Sequence, residues 1–216
     1  MWSTGGMTEL PPAQPCRIYL VRHGTTLLNR KNRYRGRIDV PLDEGGWRDA
    51  WAAAGVLGDK GVQAVYASPL RRARDTARVI ADAAGIETVT DLPGLVNLHY
   101  GDWDGLTPEE AAERHPQAYA DYHAYAPGAR TPNGESLDLA AERMVLSLRM
   151  LALLHPGGTV AAVSHAATVR LLISAVTGSP RAQWRRALPN GGITVFDATP
   201  DDAVAVDIPT EVVPVE

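Results

Sequence analysis

The sequence predicts an α/β fold, a three-layer αβα sandwich with a mostly parallel central sheet. Three observations point to it. Short β-type runs alternate with alanine- and leucine-rich stretches of helical spacing; the runs are apolar enough to be buried on both faces; and glycine, proline or polar residues bound each run. The 216 residues suffice for one such domain with a substantial core and fall short of two domains plus a linker. The expected organisation is a loose tail over residues 1–15, one domain over 16–208, and a C-terminal tail over 209–216.

Taken in order, the expected strands are 17–21 (RIYLV), 62–67 (VQAVYA), 159–164 (TVAAVS) and 193–197 (ITVFD). Helical spacing runs over 46–58, 69–84, 107–115, 136–154 and 166–177. The stretch 122–135, with Pro127, Gly128, Pro132 and Gly134, shows no clear period and is expected to be a long loop shaping the mouth of a site. No internal repeat is visible.

Composition narrows the function. A net charge of -4 and the lack of an arginine-rich face interleaved with aromatics argue against a nucleic-acid binder. The longest apolar helical stretch, around 144–154, is interrupted by Ser147 and Arg149, so no membrane span is expected. The first fifteen residues have neither the basic nor the apolar region of a secretion signal. The single cysteine, Cys16, allows no internal disulfide, and the expected location is the cytoplasm. His115, His123 and His155 lack the spacing of a metal site, and no cofactor is expected. Trp47, Trp51, Trp103 and Trp184 are read as packing or interface residues. The oligomeric state is left open, with a homodimer among the assemblies considered.

Ligands of open α/β sheets bind outside the carboxyl ends of the strands. That rule selects Arg22 and His23 after the first expected strand, Ser68 to Arg72 after the second, and His165 after the strand ending at Ser164. The combination suits phosphate chemistry. A phosphate monoester is a dianion, and its oxygens must be neutralised before a nucleophile can approach. Arginine does so with two parallel hydrogen bonds from a permanently charged fork. A neutral imidazole then attacks phosphorus without repulsion and forms a phosphohistidine. A second histidine, if protonated, stabilises the charge on the equatorial oxygens.

These residues also carry a resemblance. Arg22-His23-Gly24-Thr25-Thr26 with Asn29, followed by 35–42 (RGRIDVPL), resembles the opening signature of the histidine phosphatase superfamily, the phosphoglycerate mutase-like family. The runs 68–77 (SPLRRARDTA), 98–105 (LHYGDWDG) and 163–165 (VSH) are similar to its later motifs in the same order. The resemblance implies a phosphoglycerate mutase-like fold and a metal-independent phosphatase acting on a small phosphorylated metabolite. It implies His23 as nucleophile, with Arg22, Arg72 and His165 completing the phosphate pocket. Asn29 matches a phosphate-contacting position, and Arg35 and Ala166 are further substrate-binding candidates. Ala166 replaces a glycine that often follows the second histidine. Thr25 stands where glutamate or glutamine is common.

One position departs from the pattern. Aligning 95–101 (LVNLHYG) with the family's acid motif puts Asn97 where a glutamate normally protonates the leaving group. Asparagine has no proton to give, and losing a general acid costs on the order of a hundredfold in rate. Three explanations fit. Asp102, Asp104 or Glu135 substitutes as acid; or the leaving group departs unaided, as from an acyl phosphate, a phosphoanhydride or a phosphoramidate; or the protein binds a phospholigand with little turnover. A phosphomutase is a further alternative. Specificity is assigned to the loops around 31–40, 97–106 and 122–136.

Overall fold

The computed structural model describes residues 14–179, 184 and 186–208, so the expected tails, apart from Gln14 and Pro15, lie outside the described residues. Six strands form one sheet: β1 Cys16–Arg22, β2 Ala64–Ala67, β3 Val89–Asp91, β4 Thr159–Ser164, β5 Ile193–Ala198 and β6 Ala203–Asp207, in the order β3-β2-β4-β1-β5-β6. The β3, β2, β4 and β1 neighbours are parallel, and β5 runs antiparallel to both β1 and β6. Seven helices accompany the sheet among the described residues: α1 Leu27–Arg30, α2 Glu44–Leu57, α3 Arg71–Ala83, α4 Pro108–Arg114, α5 Pro116–Ala124, α6 Leu137–Leu154 and α7 Ala166–Thr177. None is long and apolar enough to cross a membrane.

The period-two alternation of a strand explains the three layers. Ile18, Leu20, Val160 and Ala162 point to one face and pack with Met144, Leu148 and Leu151 of α6 and Leu172 and Ile173 of α7. Val21, Ala161 and Val163 point to the other, against Ala53, Ala54 and Leu57 of α2 and Ala73, Ala77 and Ile80 of α3. A third cluster lies off the sheet, where Leu98, Tyr100, Trp103, Tyr122 and Trp184 gather with Leu137 and Leu171.

The expected strands and helices are present, with corrections. The second strand is shorter than expected, starting at Ala64. β3 and β6 were not expected: β3 has three residues, two of them exposed, and no apolar run, whereas β6 (AVAVD) carries a short apolar run that the sequence reading passed over and that lies mostly exposed at the sheet edge. The expected helix 107–115 ends at Arg114, and α5 follows almost at once with Pro116 as its first residue. Proline reads as a stop, yet at the first helical position its missing N–H costs nothing. Because α5 reaches Ala124, the irregular stretch begins at Tyr125, in the left-handed conformation with φ 51°.

Candidate active site

The histidines meet because their strands are neighbours. Parallel pairing of β1 with β4 sets Arg22 opposite Ser164, and the next residue on each strand is a histidine. The His23 N–H donates to the Ser164 carbonyl at 3.0 Å, and the two imidazole centroids lie 5.0 Å apart. Both histidines are about 1% exposed. Ser68, at the end of the neighbouring β2, brings its hydroxyl to 2.8 Å from His165 Nε2.

The loop after His23 is held against α2. Thr25 donates to the Asp49 carboxylate through its backbone N–H at 2.9 Å and its hydroxyl at 2.6 Å. A Cβ on Gly24 would stand 2.2 Å from the Gly46 carbonyl oxygen, and one on Gly46 would stand 2.0 Å from that of Thr25. Both positions therefore require glycine.

Hydrogen bonding settles the protonation of His23. Its Nδ1 lies 2.6 Å from the Gly24 carbonyl oxygen, which can only accept, so Nδ1 carries the proton and Nε2 keeps its lone pair. Burial, then the charges of Arg72, Arg22 and Arg35, hold the His23 pKa well below 6.5. His165 is lowered for the same reasons, burial first and Arg72 next, and its buried Nδ1 has no hydrogen-bond partner among the described residues. Both rings are thus neutral at ordinary pH. The sequence reading allowed a protonated second histidine; in this ligand-free geometry burial among cations opposes it.

Three arginines share the site, and none makes an ion pair among the described residues. Arg72, fully buried, donates from Nη1 to the Ile38 carbonyl at 2.8 Å and from Nη2 to the Gly36 carbonyl at 3.0 Å. Arg22 donates to the Leu188 carbonyl, and Arg35 to that of Arg33. The Nε of each is buried and unpartnered. Burial and the neighbouring Arg35 push Arg22 down to about 9 and Arg72 to about 10, and burial lowers Arg35 as well. Such a concentration of unpaired positive charge is costly until an anion enters. The N-terminus of α7 adds to the field, because His165 caps it and its free first-turn N–H groups lie at Ala166 and Ala167.

A cavity of about 390 Å³ adjoins these groups, lined by Arg35, Asn97, His165 and Ala166 together with Tyr34, Tyr100, Tyr122 and Trp184. Arg33 and Arg170 also reach its wall. His23, Arg22 and Arg72 do not line it; the His23 ring adjoins that of His165, which does, and Arg72 shares the Gly36 carbonyl with Asn97. Asn29 also caps a helix. Its Oδ1 accepts from the Thr26 N–H at 3.0 Å and the Thr26 hydroxyl at 2.8 Å, closing the capping box of α1.

Asn97 is 4% exposed, and its Nδ2 donates to the Gly36 carbonyl at 3.0 Å. Arg143 of α6 pins the segment before it, donating to the carbonyls of Gly94 and Val96 at 2.7 Å and of Asn97 at 3.3 Å. The three carboxylates considered as substitute acids differ. Asp102 accepts both oxygens' bonds from Asn133, and Glu135 is gripped by Arg143 at 2.7 and 3.0 Å. Asp104 has a buried, unpartnered Oδ1 packed against Gly36, and burial raises its pKa. Among the described residues no group of three or more His, Cys, Asp or Glu is placed to hold a metal ion.

Sequence reasoning missed the contribution of Ser68 to the orientation of His165, the tyrosine wall and Arg170. Ser68 was visible at the strand end. Arg170 follows Ala166 by four residues on α7, a spacing that sets both on the face lining the cavity.

Paired neutral histidines among buried, unpaired arginines at the carboxyl edge of a mainly parallel sheet define an α/β protein built to hold an oxyanion. The chain belongs to the histidine phosphatase superfamily (branch 1), whose family model matches residues 18–209. It is 36% identical over 167 residues to a metal-independent phosphoserine phosphatase of Arabidopsis thaliana, covering 76% of this chain and 70% of that protein. It is 36% identical over 194 residues to a bifunctional protein of Mycobacterium tuberculosis, covering 89% of this chain and 53% of the relative, so the chain spans about half the length of that relative. The solved structure of a mycobacterial glucosyl-3-phosphoglycerate phosphatase in complex with VO3 superposes with a TM-score of 0.80 at 28% identity, covering 90% of this chain and 99% of that one.

Proposed function

We propose that the protein is a metal-independent phosphatase that hydrolyses a small phosphorylated metabolite through a phosphohistidine at His23. The observation that carries this reading is the Nδ1 contact with Gly24, which leaves Nε2 as a neutral nucleophile in a buried cationic site. Family membership and the phosphatases among its relatives support it.

In the first displacement the phosphoryl oxygens take up the hydrogen-bonding capacity of Arg22, Arg35 and Arg72 and of the α7 first turn. Nε2 attacks phosphorus and the leaving group departs on the opposite side. If Ser68 donates to His165 Nε2, the Nδ1–H of His165 becomes a donor to an equatorial oxygen, a contribution of the oxyanion-hole kind. Water then attacks the phosphohistidine, releasing inorganic phosphate and restoring the neutral ring. Asn97 occupies the position where the family's acid normally stands.

The test uses p-nitrophenyl phosphate, whose leaving group needs no proton. Rapid quenching in alkali is expected to trap phosphate on the His23 peptide, read by mass spectrometry, and His23→Ala is expected to abolish both the adduct and turnover. Turnover that survives His23→Ala rejects the reading. An isomerised product that retains the label, with no phosphate released, assigns a mutase instead.

A further inference from the structure

Helix α6 is apolar on both of its faces. Ala140, Met144, Leu148 and Leu151 are buried against the rest of the fold, as an amphipathic helix requires. The opposite face should then be polar. Of its seven exposed residues, however, only Asp138 and Glu142 are charged; the others are Leu139, Leu146, Met150, Leu153 and Leu154, between 41% and 66% exposed. At 3.6 residues per turn these five fall within an arc of about 100°, and at 1.5 Å per residue they form a stripe about 22 Å long. Single exposed leucines are ordinary on a monomer. Five aligned on one helix face mark a surface that meets a partner.

The stripe is complementary to itself. Leu139, Leu146 and Leu153 recur every seven residues, so two copies of α6 packed antiparallel about a two-fold axis at Leu146 set Leu146 against its own mate and Leu139 against the partner's Leu153. The flanking charges select this direction. Asp138, Glu142 and Arg149 lie along one edge of the stripe. Arg149 makes no ion pair among the described residues; its Nη2 donates to the Asp201 carbonyl at 2.7 Å, and its Nε is buried without a partner. The two-fold lays this edge beside its own copy and brings Glu142 within one residue's rise of the partner's Arg149. A parallel pair would instead gather the acidic first turns of both helices at one end, with their dipoles aligned.

We propose that the chain forms a homodimer across α6, in which the two apolar stripes pack antiparallel around Leu146 and Glu142 of each copy pairs with the partner's Arg149. The proposal is independent of the reaction at His23. It nevertheless touches the site's surroundings, because α6 also carries Arg143, which holds Glu135 and the carbonyls of residues 94–97. The interface braces that helix from outside.

Sedimentation velocity of the full chain over a concentration series up to about 100 μM is expected to show a dimer. Leu146→Asp, which sets two carboxylates against each other at the centre of the interface, is expected to raise the dissociation constant at least about a hundredfold. Leu146 is exposed in the single chain, so the far-ultraviolet circular dichroism of the variant should match that of the wild type. Cross-linking reads the register. Cys16 is fully buried, so an introduced surface thiol is the reactive one. Leu146→Cys is expected to form an intermolecular disulfide when oxidised with diamide. Leu139→Cys and Leu153→Cys are expected to cross-link when mixed and not alone, since two copies of either position stand about 21 Å apart along the helices, beyond the reach of a disulfide. A wild type that stays monomeric throughout the series overturns the proposal, as does a dimer unaffected by Leu146→Asp, which would use another surface. Cross-linking of Leu139→Cys with itself overturns the antiparallel register. A monomer whose Leu146→Cys thiol resists maleimide assigns the stripe to residues 1–13 or 209–216 of the same chain and overturns the proposal too.

Discussion

The two ends of the site are built from different parts of the fold. The end proposed to hold the phosphoryl group comes from the sheet: His23 and His165 one residue past paired positions of β1 and β4, Ser68 after β2, and Arg72 in the first turn of α3. Its geometry follows from strand register, and its groups are held by backbone carbonyls and one serine. The end proposed to face the leaving group comes from segments off the sheet, around 32–35, 97–100 and 122–123, which meet in the aromatic cluster of Tyr34, Tyr100, Trp103 and Tyr122. The first end is specified by topology and the second by side-chain packing. A change at the first should affect every substrate, and a change at the second should sort substrates from one another.

The largest test of that division is Arg72→Met. It is expected to lower kcat/KM by about 10²–10³-fold for all substrates alike, the cost of losing one preorganised donor to developing charge. Unequal losses across leaving groups would blur the two ends into one. Next is stabilisation by ligand. Inorganic phosphate at a hundred times its Kd should stabilise the fold by about 2.7 kcal/mol, read as a shift in thermal midpoint, and the shift should shrink in Arg72→Met. Ser68→Ala should lower kcat by about tenfold on every substrate, because His165 loses the hydroxyl that orients it. The smallest expected effect is Tyr122→Phe, which deletes the 2.9 Å contact between the Tyr100 and Tyr122 hydroxyls. It should cost about 1 kcal/mol of stability and alter KM for bulky leaving groups while sparing small ones.

The pH profile sharpens the same contrast. Burial and the neighbouring Arg35 oppose the charge on Arg22 and Arg72, yet a guanidinium keeps its proton throughout the working range and a bound dianion favours the charged form. Phosphate affinity should therefore show no alkaline limb from these arginines up to pH 9. His23 is lowered from 6.5, so the folded protein resists a proton that the unfolded chain binds, and this group makes stability decline as pH falls below about 6.5. The nucleophile nevertheless stays neutral there, and the acid limb attributable to His23 should lie below pH 6.5. Denaturant melts across pH 5 to 8 and p-nitrophenyl phosphate kinetics from pH 4 to 9 measure these effects.

The division also explains what could be read from the chain. Four strands and five helices were legible because buried β-runs and alanine-rich helices carry strong periods, and strand ends then pointed to Arg22, His23, Arg72 and His165. The proximity of the two histidines follows from β1–β4 pairing, which a βα alternation implies. The edge strand β3 carried no such signal, the short AVAV run of β6 was passed over, and Pro116 concealed α5. Asn97 was identified only through the motif it departs from. Its amide orientation depends on Gly36, sixty-one residues away in sequence, and no local pattern encodes that. The motif match that singled out Asn29 gave no hint that its Oδ1 closes the capping box of α1.

The Gly36 carbonyl accepts from both ends of the site, from Arg72 Nη2 and from Asn97 Nδ2. One oxygen thus couples them. Both side chains are anchored on the same peptide group, so a backbone shift at Gly36 would move the two together, and Arg72→Met should loosen the Asn97 amide as well as remove a charge.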